Sequence, residues 1–368
     1  MTKPWTETRE DSNQGRKMAT VNRDTLVLAR ESRRVTQEEL AQRSGFAQGT
    51  ISKAETGSTE PSDELVAAYA KHLRYPVKFF YETPPTTRLP VVFYRTKKKV
   101  DIKHIRAVEA QMRILRMHLF KLLRSVETPP LRVPFVDLAR ERLSASDVAH
   151  ELRLRRHLKG PVENMTKLAE SLGCFIIQWH FDAPDVDALS MHEDGLPPVI
   201  AIDPAMKGDR MRFTIAHELG HVIMHHHLVL PGGDFEAEAD EFAAELLMPG
   251  EEIRPFLRGL TVERAAQLKM HWRTSMQSII VRAGDLEAIS DEHSAKLWKI
   301  MNHLRFKQNE PIEVPREEPS LAKSLASFHM TRLGYSPAQM ADMLPWTEEE
   351  FARTFLDASA ARPLRLVR

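Results

Sequence analysis

The sequence predicts a mainly α-helical chain with one small β-sheet, an α+β protein of several domains. Three observations lead to this prediction. Capping signals and apolar stripes at helical spacing recur along most of the 368 residues. Only two short stretches, residues 174–180 and 198–203, are apolar and β-branched enough to predict strands. A His-Glu-x-x-His box, His217 to His221, follows them in a segment with helical spacing.

Composition limits the class of protein. A hydrophobic fraction of 42% and a charged fraction of 28% are ordinary for a globular chain long enough for two or three domains. No apolar run approaches the roughly 18 residues that would span a membrane, and the polar N-terminus has no signal core. The single cysteine, Cys174, excludes an intramolecular disulfide and is expected to be a buried small hydrophobe. We therefore expect a cytoplasmic protein with no membrane partner.

Short helices separated by turns begin after a polar tail. Thr36 to Glu39 form a capping box that opens a helix ending at Gly45, and a second helix runs from Ala47 to Glu55. Two short helices joined at a glycine make a helix-turn-helix, whose second helix enters the major groove of DNA. A helix bundle that contacts other proteins is the alternative.

The stretch from Thr36 to Glu55 resembles the lambda-repressor-like helix-turn-helix of the xenobiotic-response-element family. The matching segments are Thr36-Gln37-Glu38-Glu39-Leu40-Ala41, Gln48-Gly49-Thr50-Ile51-Ser52-Lys53, Glu55-Thr56-Gly57 and Pro61-Ser62. The resemblance implies a double-stranded DNA operator as partner. The residues that it places at the DNA are Gln37, Gln48, Gly49, Thr50, Ser52 and Lys53.

A basic block follows this module. Between Arg88 and Arg124 eleven lysines and arginines face only Asp101 and Glu109. Such a block is a candidate surface for phosphates, although a solvated helix face is the commoner explanation. A long helix is predicted from Lys103 to Val126, with an apolar stripe that either belongs to the core or forms a homodimer seam.

The His-Glu-x-x-His box predicts a zinc-dependent hydrolase. Residues four apart share one face of a helix, so His217 and His221 can bind one metal ion while Glu218 acts as general base on a bound water. Zinc needs a third protein ligand if its fourth position is to hold water. Spacing leaves that ligand open, and the candidates are His225, His226, His227, Glu236, Glu238, Asp240, Glu241 and Glu245.

Two motifs together resemble the ImmA/IrrE family of metallopeptidases. They are Arg212-Phe213-Thr214-Ile215-Ala216-His217-Glu218-Leu219-Gly220-His221 and, further on, Glu236-Ala237-Glu238-Ala239-Asp240-Glu241-Phe242-Ala243-Ala244-Glu245-Leu246-Leu247-Met248-Pro249. The resemblance implies a zincin-like domain with one Zn²⁺ per chain, bound by His217, His221 and Glu238, with Glu218 as base. Asp240 replaces the asparagine usual in the family. His225 is expected either to contact the substrate carbonyl or to orient a ligand.

We expect six segments along the chain. They are a disordered tail (1–20), a helix-turn-helix domain (21–83), a basic linker and long helix (84–133), a zinc metallopeptidase domain (134–258), a helical subdomain resembling a second helix-turn-helix (259–310) and a helical C-terminal region (311–368).

The function expected from these parts is transcriptional regulation combined with limited proteolysis of a repressor or other regulatory partner. We also expect the strand at Pro198 to Asp203 to hold an extended substrate by strand addition. The alternative is a DNA-binding regulator or antitoxin-like protein whose zinc site is structural or senses a ligand.

Overall fold

The structure, a computed structural model, describes residues 20–84, 94–96, 102–126, 133–181, 186–193, 196–225 and 234–356. Nearly all of the predicted tail, part of the basic block including Lys97 to Lys99, and His226 and His227 lie outside these residues. The described chain is mainly helical with one small sheet and helical regions at both ends. The predicted fold class is therefore confirmed.

The N-terminal bundle contains four α-helices and a 3-10 helix, and its core includes the buried Leu26, Leu40 and Ile51. Their bounds are α1 (Arg23–Ser32), α2 (Gln37–Ser44), α3 (Gln48–Thr56), α4 (Asp63–Leu73) and the 3-10 helix Val77–Tyr81. The predicted capping box is present: the Thr36 hydroxyl accepts from the Glu39 N–H at 3.1 Å, and the Glu39 carboxylate accepts from the Thr36 N–H at 2.7 Å. α2 ends at Gly45, which has a φ of 79°, a left-handed conformation that favours glycine.

The sheet has four strands in the order β1-β3-β4-β2. Their bounds are β1 (Tyr94–Thr96), β2 (Phe175–Gln178), β3 (Val186–Glu193) and β4 (Leu196–Ile202). β3 is antiparallel to β1 and β4, and β2 is parallel to β4. From Val199 to Ile202, β4 pairs with strands on both sides. The expected strand addition at Pro198 to Asp203 is therefore wrong, because β2 and β3 already occupy both edges of β4.

Helices cover both faces of the sheet. On one face, Phe175, Ile177 and Ala201 share a core with α5 (Ile102–Leu123) and α15 (Leu321–Arg332). On the other face, Ile176 and Ile200 share a core with α8 (Met165–Ser171) and α9 (Gly208–Met224). This alternation is the period of two that a strand imposes on its side chains. The apolar stripe of α5 is buried within the chain, as the core alternative predicts.

The remaining helices build the region around α9 and the C-terminal part, and α10 packs closely against both α9 and α7. Their bounds are α6 (Leu138–Glu141), α7 (Ala145–Arg155), α10 (Phe235–Leu247), α11 (Gly250–Leu257), α12 (Val262–Trp272), α13 (Met276–Asp285), α14 (Asp291–His303), α16 (Pro337–Met343) and α17 (Glu348–Phe351), which continues into a π-helical turn, Ala352–Leu356.

An extended segment, residues 309–320, crosses the start of α9. Gly208, the first residue of α9, lets the segment approach: a Cβ there would lie 2.2 Å from the carbonyl oxygen of Val314. Buried ion pairs anchor the segment at two points, Glu310 to Lys269 at 2.7 Å and Glu317 to Arg212. The C-terminal region is thereby held against the helix that carries the His-Glu-x-x-His box.

The C-terminal helices pack against the N-terminal bundle. Trp346, Phe351 and Phe355 are buried in the core that α1 and α5 share, and Glu350 forms an ion pair of 2.6 Å with Arg33 of the first linker after α1. The C-terminal region therefore has a packing role that the sequence did not reveal. Within the described residues, no helix is long and apolar enough to cross a membrane.

Candidate metal centre and DNA-binding surface

α9 holds the His-Glu-x-x-His box in the interior, where His217, Glu218 and His221 are at most 1% exposed. Gly220, within the box, allows α10 to approach. A Cβ at this position would lie 3.1 Å from the Phe242 ring and 3.4 Å from the Cα of Ala239. The two helices are therefore close enough for acidic residues of α10 to reach the imidazoles of α9.

His217, His221 and Glu236 converge on one point. The two imidazole Nε2 atoms are 3.0 Å apart, and the Glu236 carboxylate oxygens lie 3.5 Å from Nε2 of His217 and 3.3 Å from Nε2 of His221. Ligands bound at about 2.0–2.2 Å to a tetrahedral zinc are about 3.3–3.6 Å apart. The three donor atoms thus fit a zinc ion with little adjustment, and their chemistry, two nitrogens and one oxygen, suits that metal.

The third carboxylate differs from the one that the resemblance implied. Glu238 contacts Nε2 of His225 at 2.9 Å and not the two imidazoles of the box. The reason is helical geometry: two residues along a helix are rotated by roughly 200°, so Glu236 and Glu238 cannot both point at one metal. Geometry therefore favours Glu236 over the predicted Glu238 as the third ligand.

Asp240 holds the first imidazole in place. It lies one turn after Glu236 on the same face of α10, and its carboxylate contacts Nδ1 of His217 at 2.8 Å. A proton on Nδ1 leaves the Nε2 lone pair free for a metal. Asp240, which replaces the asparagine usual at this position, is therefore suited to orient the His217 imidazole.

The second imidazole is held through His225. Nδ1 of His221 lies 2.9 Å from Nδ1 of His225, whose Nε2 lies 2.9 Å from the Glu238 carboxylate. If Nε2 of His225 donates to Glu238, then Nδ1 of the neutral His225 ring must act as an acceptor, and Nδ1 of His221 donates to it. Nε2 of His221 then keeps its lone pair for a metal. Of the two roles expected for His225, the orientation of a ligand is the one that this geometry supports.

Burial favours the neutral form of two imidazoles at the site, His221 and His225. It lowers the pKa of His221, and the Glu236 carboxylate only partly offsets the effect. Burial, followed by the neighbouring His221, lowers the pKa of His225 to about 4. Burial of Glu236 would raise its pKa, but hydrogen bonds with His217 and His221 outweigh burial and hold that pKa below its usual range. Neutral imidazoles and an ionised carboxylate are the forms that bind a metal.

The other acidic residues of α10 serve the fold. Glu241 accepts from the backbone N–H of Ser146 at 3.2 Å, and Glu245 pairs with Arg282 and accepts from the N–H of Gly250. Cys174 is buried as expected, and burial raises the pKa of its thiol to about 12. Neither Glu241, Glu245 nor Cys174 belongs to the metal centre.

Among the described residues, which leave out 226–233 directly after α9, the Glu236 side chain is 50% exposed, whereas the imidazoles of His217 and His221 are 1% exposed. A structural zinc site is closed by four protein ligands, while a catalytic one keeps a position for water. Within this part of the chain three donors converge, as in the second arrangement. Glu218 lies beside His217 on α9 and is fully buried.

Five of the six predicted DNA-contacting residues lie on α3, and the sixth, the half-buried Gln37, begins α2. On α3, Gln48, Gly49, Thr50 and Lys53 are exposed, and Ser52 is half-buried. A Cβ on Gly49 would meet no atom within 4 Å, so the glycine is not required for packing. Around Gly49, the exposed face of α3 is therefore not obstructed by the described residues. The recognition helix of this motif needs such a face to enter a major groove.

A chain of hydrogen bonds holds Gln48 to the interior of the bundle. Gln48 donates to the amide oxygen of Gln37 at 2.8 Å, and Gln37 donates to Glu55 at 2.8 Å. Glu55 is buried and also accepts from Arg30, at 2.6 Å and 2.7 Å, and from the Tyr69 hydroxyl. These hydrogen bonds restrict the orientation of the Gln48 amide, which would lower the entropy cost of any contact that it makes.

The fold and the site together define a chain with a helix-turn-helix DNA-binding domain followed by a domain with a metallopeptidase-like fold. Comparison with known families agrees: residues 26–80 match the family model of the helix-turn-helix, and residues 169–283 match that of the IrrE N-terminal-like domain. Both resemblances, in this order along the chain, are confirmed. No curated protein matches the sequence.

Proposed function

We propose that the protein is a cytoplasmic transcriptional regulator whose second domain is a zinc endopeptidase that cuts a repressor or another regulatory protein at one or a few bonds. The observation that carries the proposal is the convergence of His217, His221 and Glu236 beside Glu218, in one chain with a DNA-binding domain. One zinc ion per chain would be held by these three ligands. When bound there, zinc supplies a polarising charge that activates water and a peptide carbonyl.

The residues of the chain divide the remaining work. Glu218 would take a proton from the attacking water and pass it to the leaving amine. Asp240, and His225 with Glu238, hold the imidazoles of His217 and His221 in the tautomer that a metal requires.

A Glu218→Gln variant tests the proposal. It keeps the size of the side chain and all three metal ligands but removes the base, so zinc content should stay at one per chain while cleavage is lost. Purified wild-type and variant chains are incubated with a cytosolic extract of the source cell, and new protein N-termini are identified by terminal-amine mass spectrometry.

We expect one or a few new protein N-termini that appear only when both Glu218 and zinc are present. No other added component should be needed. The chain itself is included among the possible substrates, because regulator and peptidase are covalently joined. If both chains bind zinc and produce identical termini, the peptidase assignment is refuted and the metal is structural or senses a ligand.

A further inference from the structure

A groove lies between the DNA-binding bundle and helix α5. Its cavity has a volume of about 680 Å³, and its lining includes Arg30, Arg34, Gln37 and Gln48 from the bundle together with Lys103 and Arg106 from α5. The two residues of α5 lie beyond residues 26–80, the part that matches the helix-turn-helix family. The groove therefore joins a basic surface from a different part of the chain to the DNA-reading helices.

The position of α5 is set by packing and not by the basic residues themselves. α5 packs against α1, and Gln111 donates to the carbonyl of Ser32 at 2.9 Å. The same Gln111 accepts from the indole of Trp179 at 3.1 Å, which ties α5 to the end of β2. Lys103 and Arg106, one turn apart at the start of α5, are exposed. α5 is thus held against α1 and the end of β2 by contacts that involve neither basic side chain.

The charge of the groove favours an anion by a small excess. Arg30 lines the groove but is paired with the buried Glu55, which leaves Arg34, Lys103 and Arg106 against the carboxylates of Glu31 and Glu38. Lys103 also lies 3.5 Å from Glu39, but both side chains are more than 40% exposed, and exposed ion pairs contribute little. A phosphate can therefore replace Glu39 as the partner of Lys103 at small cost.

The groove opens where the DNA backbone should pass. In a helix-turn-helix complex the first residues of the recognition helix contact base edges, and the helix before it crosses the backbone. Gln48 begins α3 and Gln37 begins α2, and both line the groove. Lys103 and Arg106 therefore lie beside the two positions that approach the duplex.

We propose that Lys103 and Arg106 bind backbone phosphates of the operator, next to the base pairs that α3 reads. This extends the DNA-binding surface beyond the helix-turn-helix domain and onto the helix that packs on the sheet. The inference rests on the DNA-binding half of the proposed function and is independent of peptidase activity.

A double variant, Lys103→Gln with Arg106→Gln, tests the inference in the full-length chain. The probes are a duplex selected in vitro with the wild-type chain and a random duplex of equal length. Each phosphate contact contributes about 0.9 to the slope of log K against log salt, so the slope should fall by about 1.8. At 0.15 M salt this corresponds to about a 30-fold loss of affinity. Since phosphates carry no sequence information, the loss should be similar for both duplexes.

Two further variants make the result unambiguous. Lys296→Gln with Lys299→Gln removes the same charge from exposed positions on α14 and should leave the slope unchanged. Lys103→Arg with Arg106→Lys keeps the charges and should restore the slope, which separates a phosphate contact from a disturbance of α5. Circular dichroism melting compares the folded state of all variants.

Three outcomes would overturn the inference. In the first, the salt dependence of binding by the α5 variant equals that of the wild type, or is reduced no more than that of the α14 variant. Alternatively, discrimination between the selected and random duplexes could be lost at an unchanged slope, which would mean that α5 only positions Gln48. If the wild-type chain binds neither duplex, the DNA-binding assignment itself fails, and this result is distinct from the other two.

Discussion

Replacing Glu236 with glutamine should abolish most of the zinc affinity, whereas the same replacement at Glu238 should weaken it much less. Glu236 lies 3.3–3.5 Å from the two imidazole nitrogens and is placed to bind the metal directly. Glu238 acts through His225 and then His221, at a distance of two hydrogen bonds from the metal. The two variants make the same chemical change on the same helix, so each is the control for the other.

The expected magnitudes follow from these positions. Loss of a residue that orients a ligand reduces metal affinity about 10- to 100-fold. Glu238→Gln should stay within this range, because glutamine can still accept from His225. Glu236→Gln should exceed 100-fold, or about 2.7 kcal/mol, because it removes the negative ligand itself. Both affinities can be measured at pH 7.5 by competition with a chromogenic zinc chelator.

The order of the two effects decides the result. If Glu238→Gln lost more zinc affinity than Glu236→Gln, the third ligand would be Glu238, as the family resemblance implied, and the helical-geometry argument would fail. Circular dichroism of the zinc-free variants should match the wild type, since Glu236 is half exposed and its replacement leaves α10 intact.

Three predictions concern the stability of the fold. Gly208→Ala should lower the free energy of unfolding by about 1–3 kcal/mol, because the added Cβ would collide with the carbonyl of Val314. Gly284→Ala, within α13, should raise it by about 0.5–1 kcal/mol, since a Cβ there meets no atom within 4 Å. His118→Leu should make stability less dependent on pH below about 6.5, the pKa of histidine in the unfolded chain.

The pH dependence of His118 has a definite sign. His118 is fully buried against Trp346, and burial, aided by Lys121, holds its pKa well below the usual value. Below pH 6.5 the unfolded chain therefore binds a proton that the folded chain does not. As the pH is lowered below 6.5, the free energy of unfolding should therefore decrease by up to about 1.4 kcal/mol per pH unit because of this residue. Above pH 6.5 this stabilising contribution is fully present.

Urea unfolding at a series of pH values checks all three variants. Equal stability of Gly208→Ala and Gly284→Ala would show that the crossing segment yields to the added Cβ. His221 and His225 also have lowered pKa values, so only the difference between the wild type and His118→Leu reports on His118. Parallel pH profiles for these two chains would contradict the assignment.

Local patterns were sufficient for the helix-turn-helix and for the box. The capping box at Thr36, the glycine at Gly45 and the spacing of His217 and His221 act within one or two turns of helix, and such features depend on neighbours in the chain. β3 was not predicted, because its eight residues include Asp187, Ser190 and His192 and lack a clear apolar alternation.

The sequence by itself determined the fold class, the helix-turn-helix and the His-Glu-x-x-His box, because each of these depends on residues close together in the chain. Only the tertiary structure decided which carboxylate of α10 faces the box, since that choice depends on the rotation of α10 as it packs over Gly220. The same is true of Lys103 and Arg106, whose place beside Gln37 and Gln48 results from the packing of α5 on α1.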